Sequence, residues 1–277
     1  KRSLKNKVNY KKIKKIIIKN RNLRFKIEKN FENILEGRTV INILRFSKYI
    51  ILSLNNFSFC LIHLGMSGTL HLINYKKKNT ITNLSFYQSK TLPTKHNHIQ
   101  IKFSNFMIVY NDPRRFGFFK VFKNKNELDK YFEKKGPEAI SSKFNYKYIK
   151  NKLENKNKNI KNFLLDQNFV SGIGNIYASE ILFLAKINPN KQACLLKKEN
   201  CRKIIINSKK VLLDAIEKGG SSIRDFKNTS GKIGNFQKNF KVYERDKLNC
   251  KRLKCRGIIQ KKTISNRSTF FCNTCQK

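Results

Sequence analysis

Cys250-Lys-Arg-Leu-Lys-Cys255, then sixteen residues, then Cys272-Asn-Thr-Cys275: this stretch decides how the chain ends. Two close cysteine pairs joined by one hairpin supply four thiolates, which is the ligand set of a tetrahedral Zn²⁺. Gly257 permits a turn between the pairs, Ile258–Ile259 reads as one strand, and Thr269–Phe270–Phe271 as its return. A ribbon of this size has too small an apolar core to fold unaided, so the metal supplies its folding energy. The alternative is two disulfides or four unrelated thiols. The spacing and the lack of a secretory pattern favour zinc. The first pair encloses four residues where two are more usual.

Working outward, the 277 residues suffice for two domains with cores of their own. Lys and Arg number 61 against 17 acidic residues, a formal charge of +44. Self-repulsion on that scale disfavours a compact chain unless a polyanion is bound, so nucleic acid is the leading partner. A coding bias towards Lys, Asn and Ile also inflates the total, so the charge by itself marks no site. No apolar run approaches the roughly eighteen residues of a membrane span. Cys60, Cys194 and Cys201 have no paired spacing and read as free thiols in a reducing cytosol.

Ile16–Ile18 reads as a buried strand segment, while Phe31–Gly37 is ambiguous. Tyr49–Leu54 and Phe57–Leu64 read as strands, with Asn55–Asn56 as a two-residue turn of positive φ. In His63-Leu-Gly-Met-Ser-Gly68 two glycines interrupt the strand pattern, and residues 74–95 look like a long insertion loop. A second hairpin alternates Ile99, Ile101 and Phe103 with polar residues, turns at Asn105, returns over Phe106–Tyr110 and ends in Asn111-Asp-Pro-Arg-Arg-Phe-Gly117. After Lys123 the period becomes helical: Leu128, Tyr131 and Phe132; Ile160, Phe163 and Leu164; Tyr177 to Ala185; and Ile204, Val211 and Ala215 up to Gly219–Gly220. The expected organisation is a β-rich domain over 1–123, a helical domain over 124–240 that includes a Gly/Asn/Lys loop at 227–240, and a zinc ribbon over 241–277.

Two short stretches carry candidate chemistry. Gly172-Ile-Gly-Asn175 opens a helix, where unpaired N–H groups and the dipole attract a phosphate; Asn175 adds an amide and Lys161 lies nearby in sequence. The same residues also suit a tight helix–helix turn with Asn175 as N-cap. Asp112-Pro-Arg-Arg-Phe-Gly117 puts Arg114 and Phe116 two apart, on one side of an extended segment, where an Arg and an aromatic wedge can fill the space of an extruded base. A solvated turn over a core phenylalanine fits it as well. Met66 is core filler or a second wedge. His96 and His98, with His63 and His71, suggest phosphate contact or plain surface placement rather than a further metal. Lys48 and Arg267 are ordinary basic residues in isolation.

Taken in this order, LEGRTV, SKYIILSL, HLGMSG, KHNH, NDPRRFG, GPE, LLDQNFVSGIGNIYASEILF, GGSSIRDF, SGKIGNF, VYER and the NRSTFFC–CQK ribbon resemble formamidopyrimidine-DNA glycosylase, a bifunctional base-excision enzyme for oxidised purines. The resemblance runs from about Leu23 to Lys277. It separates the chain from the endonuclease VIII branch, which the HLGMSG and DPRRFG segments do not resemble. It implies an α+β chain of two domains: an N-terminal β-sandwich with a flanking helix, and a C-terminal helix–two-turn–helix domain plus zinc ribbon, with DNA in the cleft between. It implies one structural Zn²⁺ on Cys250, Cys255, Cys272 and Cys275, damaged double-stranded DNA as partner, and a cytoplasmic, nucleoid-associated monomer. Met66, Arg114 and Phe116 match the residues that fill the gap left by the flipped base. Lys48 matches the lysine that contacts phosphate and assists elimination, Asn175 the phosphate-binding asparagine, and Arg267 the ribbon arginine that grips phosphate and takes part in elimination. Lys232 falls in the loop that closes over the flipped oxidised guanine, and His96 and Lys156 match weaker DNA contacts.

The resemblance also implies departures. Residues 74–95 are longer than the family pattern. The family begins Pro-Glu-Leu-Pro-Glu, its proline attacking the sugar carbon to form a Schiff base and the adjacent glutamate protonating the sugar oxygen. Alignment through Asn22-Leu-Arg-Phe25 places Lys1 about nine residues into that pattern, so the expectation is a DNA-binding body without its nucleophile and acid. Two other classes compete: a damaged-DNA-binding protein that has lost catalysis, and a basic zinc-ribbon RNA-binding protein, which leaves HLGMSG and DPRRFG unexplained.

Overall fold

The computed structural model describes residues 2–75, 94–220 and 236–277. Its described residues divide into two compact units, one reaching Glu133 and the other starting at Lys134.

The first unit opens with α1 (Arg2–Val8), β1 (Lys11–Lys12), β2 (Lys15–Ile18) and α2 (Phe31–Leu35). The strands β3 (Thr39–Phe46), β4 (Tyr49–Leu54), β5 (Phe59–His63), β6 (Thr69–Asn74), β7 (Asn97–Lys102), β8 (Phe106–Asn111) and β9 (Phe118–Phe122) follow, and α3 (Lys125–Glu133) closes the unit. One sheet has the order β1-β3-β4-β5-β9 and the other β2-β7-β8-β6. Every second side chain of a strand points the same way, so each sheet can turn an apolar face to the other. Val40, Ile43, Leu52 and Ile62 from the first sheet meet Ile16, Ile99, Ile101 and Tyr110 from the second in one core. On the other face of the first sheet, Leu128, Tyr131 and Phe132 of α3 cover Ile51, Phe59, Leu61 and Phe118. That packing keeps α3 with the sheet, so the division falls after Glu133 where a boundary at Lys123 was expected.

Three local readings change. Asn55–Asn56 does not form a two-residue turn. Asn56 Oδ1 accepts from Ser58 N at 3.3 Å and from its hydroxyl at 2.7 Å, and the left-handed residue is Phe57, with φ 62°. The returning strand therefore starts at Phe59 and leaves Phe57 exposed. The ambiguous Phe31–Gly37 stretch is a short helix, Phe31–Leu35, whose Phe31 and Leu35 are buried. β6 and β9 were not read as strands, because each follows immediately on a glycine turn that obscures its pattern.

The second unit contains α4 (Tyr146–Leu153), α5 (Ile160–Leu165), α6 (Asn175–Ala185), α7 (Lys198–Glu217) and the hairpin β10 (Ile259–Ile264) with β11 (Arg267–Cys272). α6 is apolar nearly all round and is the central helix, packed on α5, α7 and β11. The turns between α5 and α6 are stapled by Gln167. Its Nε2 donates to Leu165 O at 3.2 Å and Ile173 O at 3.0 Å, and its Oε1 accepts from Gly172 N at 3.1 Å. The ribbon packs on the end of α6 through Phe183, Val242, Ile259 and Phe270. Among the described residues, no helix is long and apolar enough to cross a membrane. Most of the 74–95 stretch, and Lys232 with most of the 227–240 loop, lie outside the described residues.

Candidate nucleic-acid interface and zinc centre

In the first unit, one buried carboxylate organises two loops. Asp112 Oδ1 accepts from Ser67 Oγ at 2.5 Å and Arg114 N at 3.3 Å; Oδ2 accepts from Tyr110 OH at 2.7 Å and Gly117 N at 2.9 Å. Its backbone carbonyl accepts from His98 Nε2 at 2.8 Å. A fully buried carboxylate is stable only with its lone pairs satisfied, and here they are satisfied by the two loops it joins and by the Tyr110 hydroxyl of β8. The loops also touch through backbone. A Cβ on Gly65, itself at φ 67°, would stand 2.5 Å from the Phe116 carbonyl carbon, and one on Gly117 2.5 Å from the His63 carbonyl oxygen. Neither position has room for a side chain.

The joined loops present Met66 at 56% exposure and Phe116 at 41%. Large apolar side chains this exposed, on so constrained a backbone, are unusual for core filler. Arg114 lies over the Phe116 ring at 4.5 Å. The segment is not extended, as the residue spacing suggested, because Arg115 takes a left-handed φ of 55°; Arg114 and Phe116 meet by a cation–π contact across that turn.

Beside these loops, Lys48 heads β4 just after Ser47, which has φ 53°. His63 lies opposite Tyr49 in the sheet, stacks on Phe118 at 5.3 Å and accepts from Gly65 N at 3.1 Å through Nδ1. Burial, then the Lys48 and Arg24 charges, lower His63 to about 4, so the ring is neutral and its Nδ1 lone pair is open to the Gly65 N–H. His96 is half-buried, and its carbonyl accepts from Asp112 N at 3.0 Å.

In the second unit, Asn175, Lys161 and the start of β11 come together. Asn175 is the first residue of α6, and Gly174 is the N-cap, so the N-cap reading of Asn175 is not what forms. Its Nδ2 donates to Ser268 O at 2.8 Å, and the Tyr243 phenol lies beside the same amide. The first backbone bond of the helix runs from Ala178 N to Gly174 O, so the amides of the preceding turn face outward along the dipole. Arg267 is exposed, directly after a two-residue turn in which Ser265 (φ 53°) and Asn266 (φ 56°) are both left-handed. Lys156 is exposed in the segment before α5.

Lys161 departs from the expectation of a surface phosphate contact. It is fully buried, and its ammonium donates to Thr269 Oγ1 at 2.5 Å and Ser268 O at 3.3 Å. Burial, then the Arg267 charge, lower it to about 8. Its place is behind β11, holding the strand that carries Arg267. Glu180 of α6 does similar work for the segment before the ribbon. Its buried carboxylate accepts from Lys241 N at 2.9 Å, Val242 N at 3.0 Å and Tyr243 N at 2.9 Å, which positions Tyr243 against Asn175.

The four sulfurs of Cys250, Cys255, Cys272 and Cys275 all lie within 4.8 Å of one another, with Cys250–Cys275 at 3.8 Å and Cys255–Cys272 at 3.7 Å. Zn–S bonds of about 2.3 Å in a tetrahedron set sulfurs about 3.8 Å apart, whereas a disulfide needs about 2.05 Å. The cluster fits one structural Zn²⁺. Four protein thiolates close it, leaving no position for water or substrate.

Three family models match in series: the formamidopyrimidine-DNA glycosylase N-terminal domain over residues 1–119, the formamidopyrimidine-DNA glycosylase H2TH domain over 135–227, and the zinc finger found in FPG and IleRS over 249–277. The chain belongs to the formamidopyrimidine-DNA glycosylase family. The formamidopyrimidine-DNA glycosylase of Wolbachia pipientis wMel is 39% identical over 271 residues, covering 98% of this chain and 94% of that protein. That of Rickettsia bellii (strain OSU 85-389) is 38% identical over 268 residues, covering 96% and 92%. Among solved structures, the Lactococcus lactis Fpg in complex with DNA containing an abasic site has a TM-score of 0.87 at 30% identity, over 100% of this chain and 96% of that one. The same Lactococcus lactis protein in complex with DNA containing Fapy-dG has a TM-score of 0.86 at 30% identity, again over 100% and 96%.

Asp112, Gln167, Glu180 and Tyr243 organise these sites through contacts that local sequence spacing does not mark. Glu180 carried a usable signal: a carboxylate inside the apolar run Ile176 to Ala185 must be paired if the helix is buried. Asp112, next to Pro113 in a turn, looked like ordinary turn chemistry.

Proposed function

We propose that this protein excises oxidised purines (8-oxoguanine and formamidopyrimidines) from duplex DNA and cuts the strand at the resulting abasic site by β,δ-elimination. The observation that carries this reading is the pair of loops tied to Asp112, which holds Met66, Arg114 and Phe116 outward on a backbone too tight to collapse. Flipping a base leaves a gap costing a few kcal/mol, and one cationic and two apolar side chains can fill it. Asn175, the outward amides before Ala178 and Arg267 would grip the backbone phosphates, with Lys161 holding β11 from behind. Lys48 would contact phosphate and assist elimination; His96 and Lys156 would add weaker contacts, and Lys232, outside the described residues, would contact the lesion. In the family's chemistry a proline amine displaces the base at the sugar carbon, and the imine so formed makes loss of the 3′ and then the 5′ phosphate easier.

Borohydride trapping on a duplex carrying 8-oxoguanine opposite cytosine tests this. Lys1–Lys277 is run beside the same chain preceded by Pro-Glu-Leu-Pro-Glu and its following residues. The expected result is a covalent adduct from the extended form, reduced by Arg267→Ala. Lesion binding without an adduct from either form would favour a damage-binding protein, and absence of any lesion preference would overturn the proposal.

A further inference from the structure

The first cysteine pair encloses Lys251, Arg252, Leu253 and Lys254, and two of these side chains reach back into the fold. Lys251 Nζ donates to Phe240 O at 3.4 Å. Arg252 does more. Its Nε lies 3.4 Å from Cys275 Sγ, its Nη2 donates to Phe183 O, and its guanidinium carbon stands 4.6 Å from the centre of the Phe183 ring. Its backbone N lies 3.5 Å from Cys250 Sγ. One residue therefore contacts two of the four sulfurs, one through its main chain and one through its side chain.

We propose that Arg252 is a positioning residue of the zinc centre: its Nε–H donates to the Cys275 thiolate and fixes that ligand to the last turn of α6. The geometry suits only a planar, permanently charged donor. Nε meets sulfur, Nη2 meets a carbonyl, and the flat face lies on an aromatic ring; a lysine ammonium cannot make all three contacts. The Phe183 carbonyl lies at the C-terminal end of α6, where it accepts from Lys186 N at 3.1 Å and keeps a second lone pair for Arg252, and where the dipole favours a cation. A zinc-bound thiolate keeps lone pairs that a proton can attack. An N–H donor on the sulfur lowers that basicity and fixes the sulfur's direction, as partners of metal ligands generally do. Arg252 thus joins the metal to one end of α6, while Asn175 on Ser268 joins the other end to the ribbon's second strand.

The test uses the full chain loaded with zinc, and separately with Co²⁺, as Arg252→Lys, Arg252→Met and Phe183→Leu. Two quantities are read: the rate of zinc transfer to a chromogenic chelator, and the energy of the sulfur-to-cobalt charge-transfer band. Arg252→Lys and Arg252→Met should release zinc about tenfold faster. They should also move the band to lower energy, because a sulfur without its N–H donor gives up electron density more easily. Phe183→Leu removes the ring but leaves the donor, so the band should stay in place and release change by about threefold at most. Circular dichroism checks the fold, and if Arg252→Met is unfolded, Arg252→Lys decides. Parental release and an unmoved band in the arginine variants would overturn the proposal. A band shift in Phe183→Leu equal to that in Arg252→Lys would overturn it too, by assigning the effect to packing.

Discussion

The loops of Met66 and Phe116 in the first unit hang on a buried anion, Asp112, which accepts from neutral hydroxyl and backbone donors. In the second unit, the strand of Arg267 is backed by a buried cation, Lys161, which donates to a hydroxyl and a carbonyl, and by a ribbon built on four thiolates. The first arrangement completes its bonds from the chain alone. The second depends on a metal and on a side chain whose charge is marginal at mildly alkaline pH. Rigidity in the two units should therefore respond to different perturbations.

Zinc removal should give the largest effect and the clearest break between the units. A structural zinc contributes on the order of 10 kcal/mol to a small ribbon at neutral pH. After chelation, hydrogen exchange should become fast over Ile259–Cys272, while Ile108–Asn111 stays protected. Loss of protection in both would mean the units are not independent. Next is Asp112→Ala, which strands four donors, two of them backbone N–H groups. It should cost about 4 kcal/mol in urea unfolding of the first unit while leaving zinc affinity unchanged.

Acid should act on the first unit through His71. It is buried, shares a hydrogen bond of 2.7 Å with Thr69 Oγ1, and burial lowers it to about 4. The unfolded chain binds this proton near pH 6.5 and the folded chain near 4, so stability falls as pH drops through that window and levels off below it. The full loss is about 3 kcal/mol. Urea midpoints of the parent and of His71→Gln, measured from pH 7 to 4, should converge on acidification; parallel curves would remove His71 as the cause.

The smallest effect concerns Lys161. As pH rises through about 8 its ammonium empties, and the cation behind Arg267 is lost. DNA affinity should weaken by about 1 kcal/mol between pH 7 and 9. Folding stability responds with the opposite sign: above pH 8 the unfolded chain holds more protons than the folded one, so the Lys161 contribution rises with pH. Lys161→Met should bind DNA more weakly with no step at pH 8, read by fluorescence anisotropy at fixed salt. A step that persists in that variant would assign it to another group.

Much of this molecule was legible from local spacing. The paired cysteines, the β7–β8 alternation of Ile99 and Ile101, and the stripe from Tyr177 to Ala185 each bring together residues close in sequence, and short-range geometry is enough to read them. The proposed wedge and phosphate grip rest instead on the order of motifs along the chain. What only the tertiary structure decided is where the buried charges go. Ser67 meets Asp112 across 45 positions, Val242 meets Glu180 across 62, and Lys161 meets Thr269 across 108. A carboxylate or an ammonium in a sequence looks like solvated surface until its partner is known. Burial without that partner would cost more than the fold can bear, so the distant partner, not the residue's own neighbours, turned Lys161 from an expected surface contact into a buried support.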